Sequence, residues 1–145
     1  MSDHDLLTPF SGPNTGVYII AELSANHNQD FNIALESINA MKEAGADAVK
    51  LQTFTAEAMT LDSDKPWFRA REDSLWAGQK LFDLYARGMT PWEWHPKLKK
   101  RANELGMDFF STPFDIEAVE RLESIDVPAY KIASLEITDI QLIER

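Results

Sequence analysis

Short runs of apolar residues alternate along the chain with stretches in which apolar residues recur every three or four positions. The first pattern is typical of buried β-strands and the second of amphipathic helices. Together they predict four strands, at residues 17–23, 47–53, 107–112 and 129–134. Helices are predicted between and after them, at 31–44, 74–88, 91–106, 116–124 and from 138 onward. Apolar strands that alternate with helices indicate a parallel sheet covered by helices, an α/β fold.

Capping residues support these boundaries. Asp30 or Asn28 is placed to cap the helix at 31–44, and Asp115 and Thr138 to cap the last two helices. The helix at 91–106 begins with a proline at position 91, unless it begins at Pro96 instead. Residues 1–16 are rich in turn formers and predict a lead-in segment or a short hairpin.

Every predicted strand becomes polar at its carboxyl end, where ligands gather in parallel α/β folds. The polar residues concerned are Glu22, Asn26, Lys50, Gln52, Ser111, Thr112, Lys131 and Ser134. Side chains alternate across a strand, so Lys50 and Gln52 share one face while Val49 and Leu51 point toward the helices. Two lysines accompanied by hydroxyls and an amide form a candidate cradle for a phosphate or a carboxylate.

Lys50 lies in a strand that is otherwise apolar, and a buried ammonium is costly unless it is paired. A carboxylate, water or an anionic substrate could supply the compensation. Glu22 paired with Lys50 or Lys131 would explain these charges without any ligand. His27 is interpreted as a loop residue and His95 as a packing residue. On residue types alone, the prediction is an α/β domain with an anion-binding site at its strand ends.

Composition narrows the classes of partner and location. The 145 residues carry a formal net charge of −10 and no cysteine, which argues against nucleic acid, anionic membranes and thiolate chemistry. The first ten residues lack the pattern of a signal peptide, and no apolar run is long enough to cross a bilayer. A cytoplasmic location is expected. Length alone favours a small open sheet.

Five ordered motifs make the chain resemble the sialic acid synthase family, whose members condense phosphoenolpyruvate with a hexosamine to form nonulosonic acids. The motifs are AELSANHNQD, GADAVKLQTFT, TPWEWH, FSTPFD and YKIASLEI. Within the family, SANHNQD, WAGQKLFDLY and TPWEWH are more similar to pseudaminic acid synthases than to N-acetylneuraminate synthases. The resemblance covers nearly everything from Val17 onward.

The resemblance implies a fold that length alone would not suggest. The family fold is a TIM-type (βα)₈ barrel followed by a small antifreeze-like domain, and such a barrel takes about 250 residues. Residues 17–145 therefore correspond to the N-terminal half of the barrel, with four parallel strands, truncated in the fourth helix. The half-barrel therefore replaces the small open sheet as the predicted fold.

The resemblance also implies roles for the polar strand ends. Lys50, Lys131, Thr112 and Ser134 correspond to residues that bind phosphoenolpyruvate, and Asn26 and Ser111 are weaker candidates for substrate binding. Glu22 corresponds to a carboxylate near the acceptor sugar, and Gln52 to a neighbour of the reacting centre; both are expected to be catalytic.

The implied reaction joins C3 of phosphoenolpyruvate to the aldehyde of an N-acetylated amino sugar; water then adds at C2 and phosphate leaves by C–O cleavage. The implied cofactor is Mn²⁺ or Mg²⁺, with ligands expected outside this part of the barrel, and the implied assembly is a homodimer. Two alternatives stay open. One is a Schiff-base aldolase with Lys131 or Lys50 as nucleophile, and the other is an inactive fragment.

Overall fold

Three parallel strands form the centre of the structure, a computed structural model that describes residues 17–145. They are β1 (Ile20–Ser24), β2 (Ala48–Thr53) and β3 (Asp108–Pro113), hydrogen-bonded in the order β1-β2-β3. This arrangement confirms the α/β class and the parallel sheet. The lead-in segment or hairpin expected at residues 1–16 lies outside the described residues.

Helices connect the strands. They are α1 (Phe31–Glu43), α2 (Ala56–Met59), α3 (Leu81–Gly88), α4 (His95–Glu104), α5 (Ile116–Glu123) and α6 (Ile140–Glu144). Single 3₁₀ turns lie at Pro66–Phe68, Trp92–Trp94 and Glu136–Thr138. None of the helices within residues 17–145 is long and apolar enough to span a membrane.

Helix α1 shows how the local sequence sets an element's limits. The Asp30 side chain accepts hydrogen bonds from the backbone N–H groups of Asn32 and Ile33, so the predicted choice between Asp30 and Asn28 resolves to Asp30. Gly45, with φ +88°, adopts the left-handed conformation just after the helix, which glycine tolerates best. Ala34 and Ile38 are buried on its inner side.

Replacing Asp30 with alanine is expected to lower the free energy of unfolding by about 1 kcal/mol, because two N–H groups of the first turn lose their acceptor. Asp30→Asn keeps a capping oxygen and should cost much less. Equilibrium unfolding in urea measures both variants. Equal losses for alanine and asparagine would contradict the capping role.

The core lies between the sheet and helices α1 and α4. Val49, Leu51 and Phe109 project from the strands into a cluster that includes Ile38 and Leu98. We call this side of the sheet the helix face. The other side, which carries Lys50 and Gln52, we call the lysine face. The prediction that Val49 and Leu51 point toward the helices is confirmed.

The predicted fourth strand at 129–134 is wrong in extent. Within residues 17–145 it is reduced to one parallel bridge between Ser111 and Tyr130, with the Lys131 N–H donating to the Ser111 carbonyl at 3.1 Å. The physical reason lies in β3, where Pro113 has no N–H with which to continue the ladder. Residues 129–131 still run alongside β3, and the chain then turns away at Ser134.

Two predicted helices begin later than expected. The helix predicted at 74–88 begins at Leu81, because residues 69–80 form a hairpin-like excursion closed by a bridge between Arg69 and Lys80. The helix predicted at 91–106 begins at His95, after a 3₁₀ turn, which matches the alternative start near Pro96. The cap of the last helix is Asp139, whose side chain accepts from Leu142 N, and not Thr138.

Candidate anion-binding site at the strand ends

The register of the parallel sheet brings four of the expected site residues together on the lysine face. Glu22 on β1 is the direct partner of Lys50 on β2. Two residues further along, Gln52 is the direct partner of Thr112 on β3. Register partners in neighbouring strands point to the same side, so these residues form two adjacent rows at the carboxyl end of the sheet.

Lys50 is compensated by a carboxylate. It is only 7% exposed, and its ammonium forms an ion pair with the side chain of Glu22. The sequence left a carboxylate, water and an anionic substrate as possible partners of Lys50, and the structure shows the carboxylate. The pair is asymmetric, because the Glu22 side chain remains 49% exposed and so can still reach a ligand.

Glu22 is held in its ionised form. Partial burial by itself would raise its pKa, but hydrogen bonds from Lys50 and Ser24 and the positive charges of Lys50 and Lys131 lower it below its ordinary value. The Ser24 hydroxyl donates at 2.9 Å. A carboxylate in this state can accept hydrogen bonds from hydroxyl groups or receive a proton.

Lys131 approaches the same group from the other edge of the sheet. Its backbone is fixed to β3 by the hydrogen bond to the Ser111 carbonyl, and its charge lies close enough to Glu22 to lower that residue's pKa. Lys50, Glu22 and Lys131 together carry two positive charges and one negative charge. The group therefore has one net positive charge on a chain of net charge −10, which favours a small anionic ligand.

The other three expected residues lie elsewhere or in turns. Ser111 is the register partner of Leu51, so its side chain is on the helix face, where its hydroxyl bonds to Thr53 at 2.7 Å. Asn26 lies in an exposed turn whose N–H donates to the Leu23 carbonyl. Ser134 lies in an exposed turn after the Lys131 segment. Within residues 17–145, neither Asn26 nor Ser134 forms a hydrogen bond with Lys50.

Both described histidines are buried and bonded. His95 bonds to the Thr53 hydroxyl at 2.9 Å, and burial lowers its pKa to about 4. His27 bonds to the Thr90 hydroxyl at 3.0 Å, and burial lowers its pKa as well. The packing role expected for His95 agrees with this position, whereas His27 is a buried anchor of its loop. The hydroxyl partners Thr53 and Thr90 were not anticipated.

One signal in the sequence could have pointed to Thr53. Strand alternation places Thr53 on the same side as Val49 and Leu51. Its hydroxyl therefore lies in the apolar helix face, where it needs a hydrogen-bond partner. Nothing local in the sequence indicates that His95, 42 positions later, is that partner.

A cavity of about 330 Å³ adjoins this helix-face cluster and not the lysine face. Its walls include Thr53, Trp92 and His95, and the Arg121 guanidinium lies 5.5 Å from the centroid of the Trp92 ring. None of the eight residues expected at the strand-end site lines this cavity. Among its polar walls, Thr53 bonds to His95, and Arg121 bonds to Glu117.

Within residues 17–145, no three side chains among His, Asp and Glu cluster in a way that could hold a metal ion. The described strand ends therefore do not fit a metal centre by themselves, and the groups that they offer are ammonium, carboxylate, amide and hydroxyl.

Two solved structures of other proteins superpose on most of this chain. The N-acetylneuraminic acid (sialic acid) synthetase of Leptospira borgpetersenii, solved with citrate, superposes with a TM-score of 0.72 at 30% identity, covering 88% of this chain and 40% of that one. The spore coat polysaccharide biosynthesis protein SpsE of Bacillus subtilis gives 0.66 at 34% identity, covering 92% and 34%.

Sequence relatives agree with these structures. The pseudaminic acid synthase of Helicobacter pylori is 52% identical over 127 residues, which cover 88% of this chain and 37% of the relative. The pseudaminic acid synthase of Campylobacter jejuni is 50% identical, with 85% and 36% covered. The chain thus spans little more than a third of the length of these relatives. The model of the NeuB family matches residues 37–145. The resemblance noted in the sequence is confirmed, and the chain belongs to the NeuB family.

Proposed function

We propose that this chain is the N-terminal part of an enzyme that condenses phosphoenolpyruvate with an N-acetylated amino sugar to form a nonulosonic acid. Pseudaminic acid is the first choice of product, with N-acetylneuraminic or legionaminic acid next. The observation that carries the proposal is the convergence of Lys50, Lys131 and Glu22 at the strand ends, a local positive group on an acidic protein.

The relatives support this choice of product. Two of them, at 52% and 50% identity, are named pseudaminic acid synthases. A relative from Legionella pneumophila at 35% identity is named N,N'-diacetyllegionaminic acid synthase. All three names describe synthases of nonulosonic acids, and the higher identities favour pseudaminic acid.

The proposed roles follow from the charges and hydrogen-bonding groups of the lysine face. Lys50 and Lys131 bind the phosphate or carboxylate of phosphoenolpyruvate, and Thr112 donates a hydroxyl hydrogen bond to it. Ser134, in the exposed turn after Lys131, is assigned the role of a second hydroxyl donor from the family resemblance alone. When the negative charge of the substrate replaces Glu22 as the partner of Lys50, the Glu22 carboxylate becomes free to accept a hydrogen bond from the sugar or to carry a proton. Gln52, beside Thr112, orients the reacting groups.

In the proposed reaction, C3 of phosphoenolpyruvate forms a bond to the aldehyde carbon of the open-chain sugar. The aldehyde oxygen takes up a proton and becomes a hydroxyl. Water adds to C2, and the bond between C2 and the phosphate oxygen then breaks, releasing inorganic phosphate. Positive groups fixed beside the substrate stabilise the charge that moves during these steps.

The proposal extends to features outside the described residues. The three-stranded sheet would be part of a (βα)₈ barrel in which residues 129–131 contribute to the fourth strand, and the rest of the barrel would supply the ligands of Mn²⁺ or Mg²⁺. The full-length protein, meaning this chain with the remainder of the barrel, would be a cytoplasmic homodimer.

The experiment that tests the proposal is an assay of the full-length protein with phosphoenolpyruvate whose C2–O–P bridging oxygen is ¹⁸O. Candidate amino sugars of the pseudaminic, legionaminic and neuraminic series are compared with Mn²⁺, with Mg²⁺ and with a chelator. We expect a nonulosonic acid by mass spectrometry, and the label in the released phosphate, because the C–O bond breaks.

Two results would contradict the proposal. A covalent adduct after borohydride treatment with pyruvate would favour the Schiff-base aldolase, although an ammonium paired with Glu22, as in Lys50, has no lone pair for that attack. Absence of product with every sugar and metal would favour a protein without this activity.

A further inference from the structure

A chain of buried hydrogen bonds runs across the helix face directly behind the proposed site. His95 Nε2 lies 2.9 Å from Thr53 Oγ1, which lies 2.7 Å from Ser111 Oγ. All three side chains are buried, and we call them the His95 network. The network joins the start of α4 to the end of β2 and to the middle of β3.

The chemistry of its neighbours sets the direction of these hydrogen bonds. The Pro91 carbonyl, 3.3 Å from His95 Nδ1, can only accept, so Nδ1 carries the proton of the neutral ring. Nε2 must then accept from the Thr53 hydroxyl, and the Thr53 oxygen accepts from Ser111. Every hydroxyl proton therefore has a defined acceptor, which restricts the rotation of both side chains.

Two members of the network, Thr53 and Ser111, lie next to residues of the proposed site. Thr53 follows Gln52 and Ser111 precedes Thr112, and neighbouring residues of a strand point to opposite faces. The carbonyl of Ser111 also accepts from the N–H of Lys131. Fixing the network on the helix face therefore fixes three substrate-side positions on the lysine face.

An apolar interior would not need this arrangement. Valine has nearly the shape of threonine, and buried polar groups add little net stability when apolar side chains of the same shape could replace them. A buried network is better explained by specificity, since it permits one relative position of the elements that it connects.

We propose that His95, Thr53 and Ser111 are positioning residues that hold Gln52, Thr112 and the Lys131 backbone in the arrangement that binds phosphoenolpyruvate, an inference that rests on the proposed function. These three residues do not contact the substrate. They act through β2, β3 and the segment beside β3.

The test compares Thr53→Val with Thr53→Ser in the full-length protein. Valine removes the hydroxyl and serine keeps it. We expect Thr53→Val to raise the KM for phosphoenolpyruvate about tenfold, with kcat per folded enzyme within about twofold of the parent value, and Thr53→Ser to restore the parent KM. Hydrogen exchange at residues 129–134 should be faster in Thr53→Val, and slow again in Thr53→Ser.

Thr90→Val is the matched control. Thr90 is also a buried threonine bonded to a buried histidine, His27, but it lies outside the two strands. It should lose stability like Thr53→Val and keep the parent KM. An equal rise of KM in Thr90→Val, or a fall in kcat alone in Thr53→Val, would overturn the positioning role.

The same experiment separates this inference from the proposed function. A parent enzyme that releases no phosphate from phosphoenolpyruvate overturns the proposed function. In that case the exchange measurement decides alone whether Thr53 orders residues 129–134, and unchanged exchange in Thr53→Val overturns the network's role.

Discussion

Lys50→Ala in the full-length protein is expected to lower kcat/KM for phosphoenolpyruvate by about a hundredfold or more. Truncating one partner of a buried, hydrogen-bonded charge pair costs about 2–5 kcal/mol, and each tenfold in rate corresponds to about 1.4 kcal/mol. Lys50 is such a group, because it is 7% exposed and paired with Glu22. Steady-state kinetics with varied phosphoenolpyruvate measure the loss.

The matched control is Lys100→Ala. Lys100 has the same side chain, but it is 79% exposed and lies 3.9 Å from Glu104, and exposed ion pairs of this kind contribute little. Its kinetics should remain at the parent level. If the two alanine variants behaved alike, Lys50 would have no role in substrate binding.

Glu22→Gln distinguishes substrate binding from simple loss of the ion pair. This variant keeps the Lys50 charge and removes the carboxylate that occupies it, so the KM for phosphoenolpyruvate should stay level or fall while kcat falls. A rise in the KM for phosphoenolpyruvate in Glu22→Gln would show that the ion pair, rather than the free ammonium, is what the substrate requires.

The parts of the fold and site that follow local rules were predictable from the sequence. Alternation along β2 placed Val49 and Leu51 toward the helices and Lys50 and Gln52 on the opposite face, and the structure agrees. Strand β2 was predicted at 47–53 and lies at Ala48–Thr53. These features depend only on residues a few positions apart, so a pattern within one segment is sufficient.

The features that depend on pairing between distant segments were not predictable in this way. The sequence offered Glu22 as a partner for Lys50 or for Lys131, and the register of β1 against β2 decides for Lys50. The shortened fourth strand depends on Pro113 in a neighbouring strand. Alternation also shows that Ser111 and Thr112 cannot share a face. Which of the two accompanies Lys50 depends on the register of β3 against β2.

The second large effect concerns acid stability and depends on His95. Burial lowers its pKa in the folded protein to about 4 from an ordinary 6.5. Between these two pH values the unfolded chain binds a proton at this residue and the folded protein does not, so stability falls as the pH falls through this window. The shift corresponds to roughly 3 kcal/mol, since one pKa unit is about 1.4 kcal/mol.

His95→Gln should remove this pH dependence, because glutamine does not titrate. The variant lacks the packing of the ring, so near neutral pH it is expected to be less stable than the parent. As the pH falls through the window, the parent loses stability, and the two free energies of unfolding should converge. Thr53→Val separates titration from bonding, since it loses the same hydrogen bond and keeps the histidine. Denaturant unfolding at several pH values should therefore give a steep acid dependence for the parent and Thr53→Val and a shallower one for His95→Gln. Parallel curves for all three proteins would mean that His95 is not held neutral by its burial, and the donor directions assigned to its network would then lose their basis.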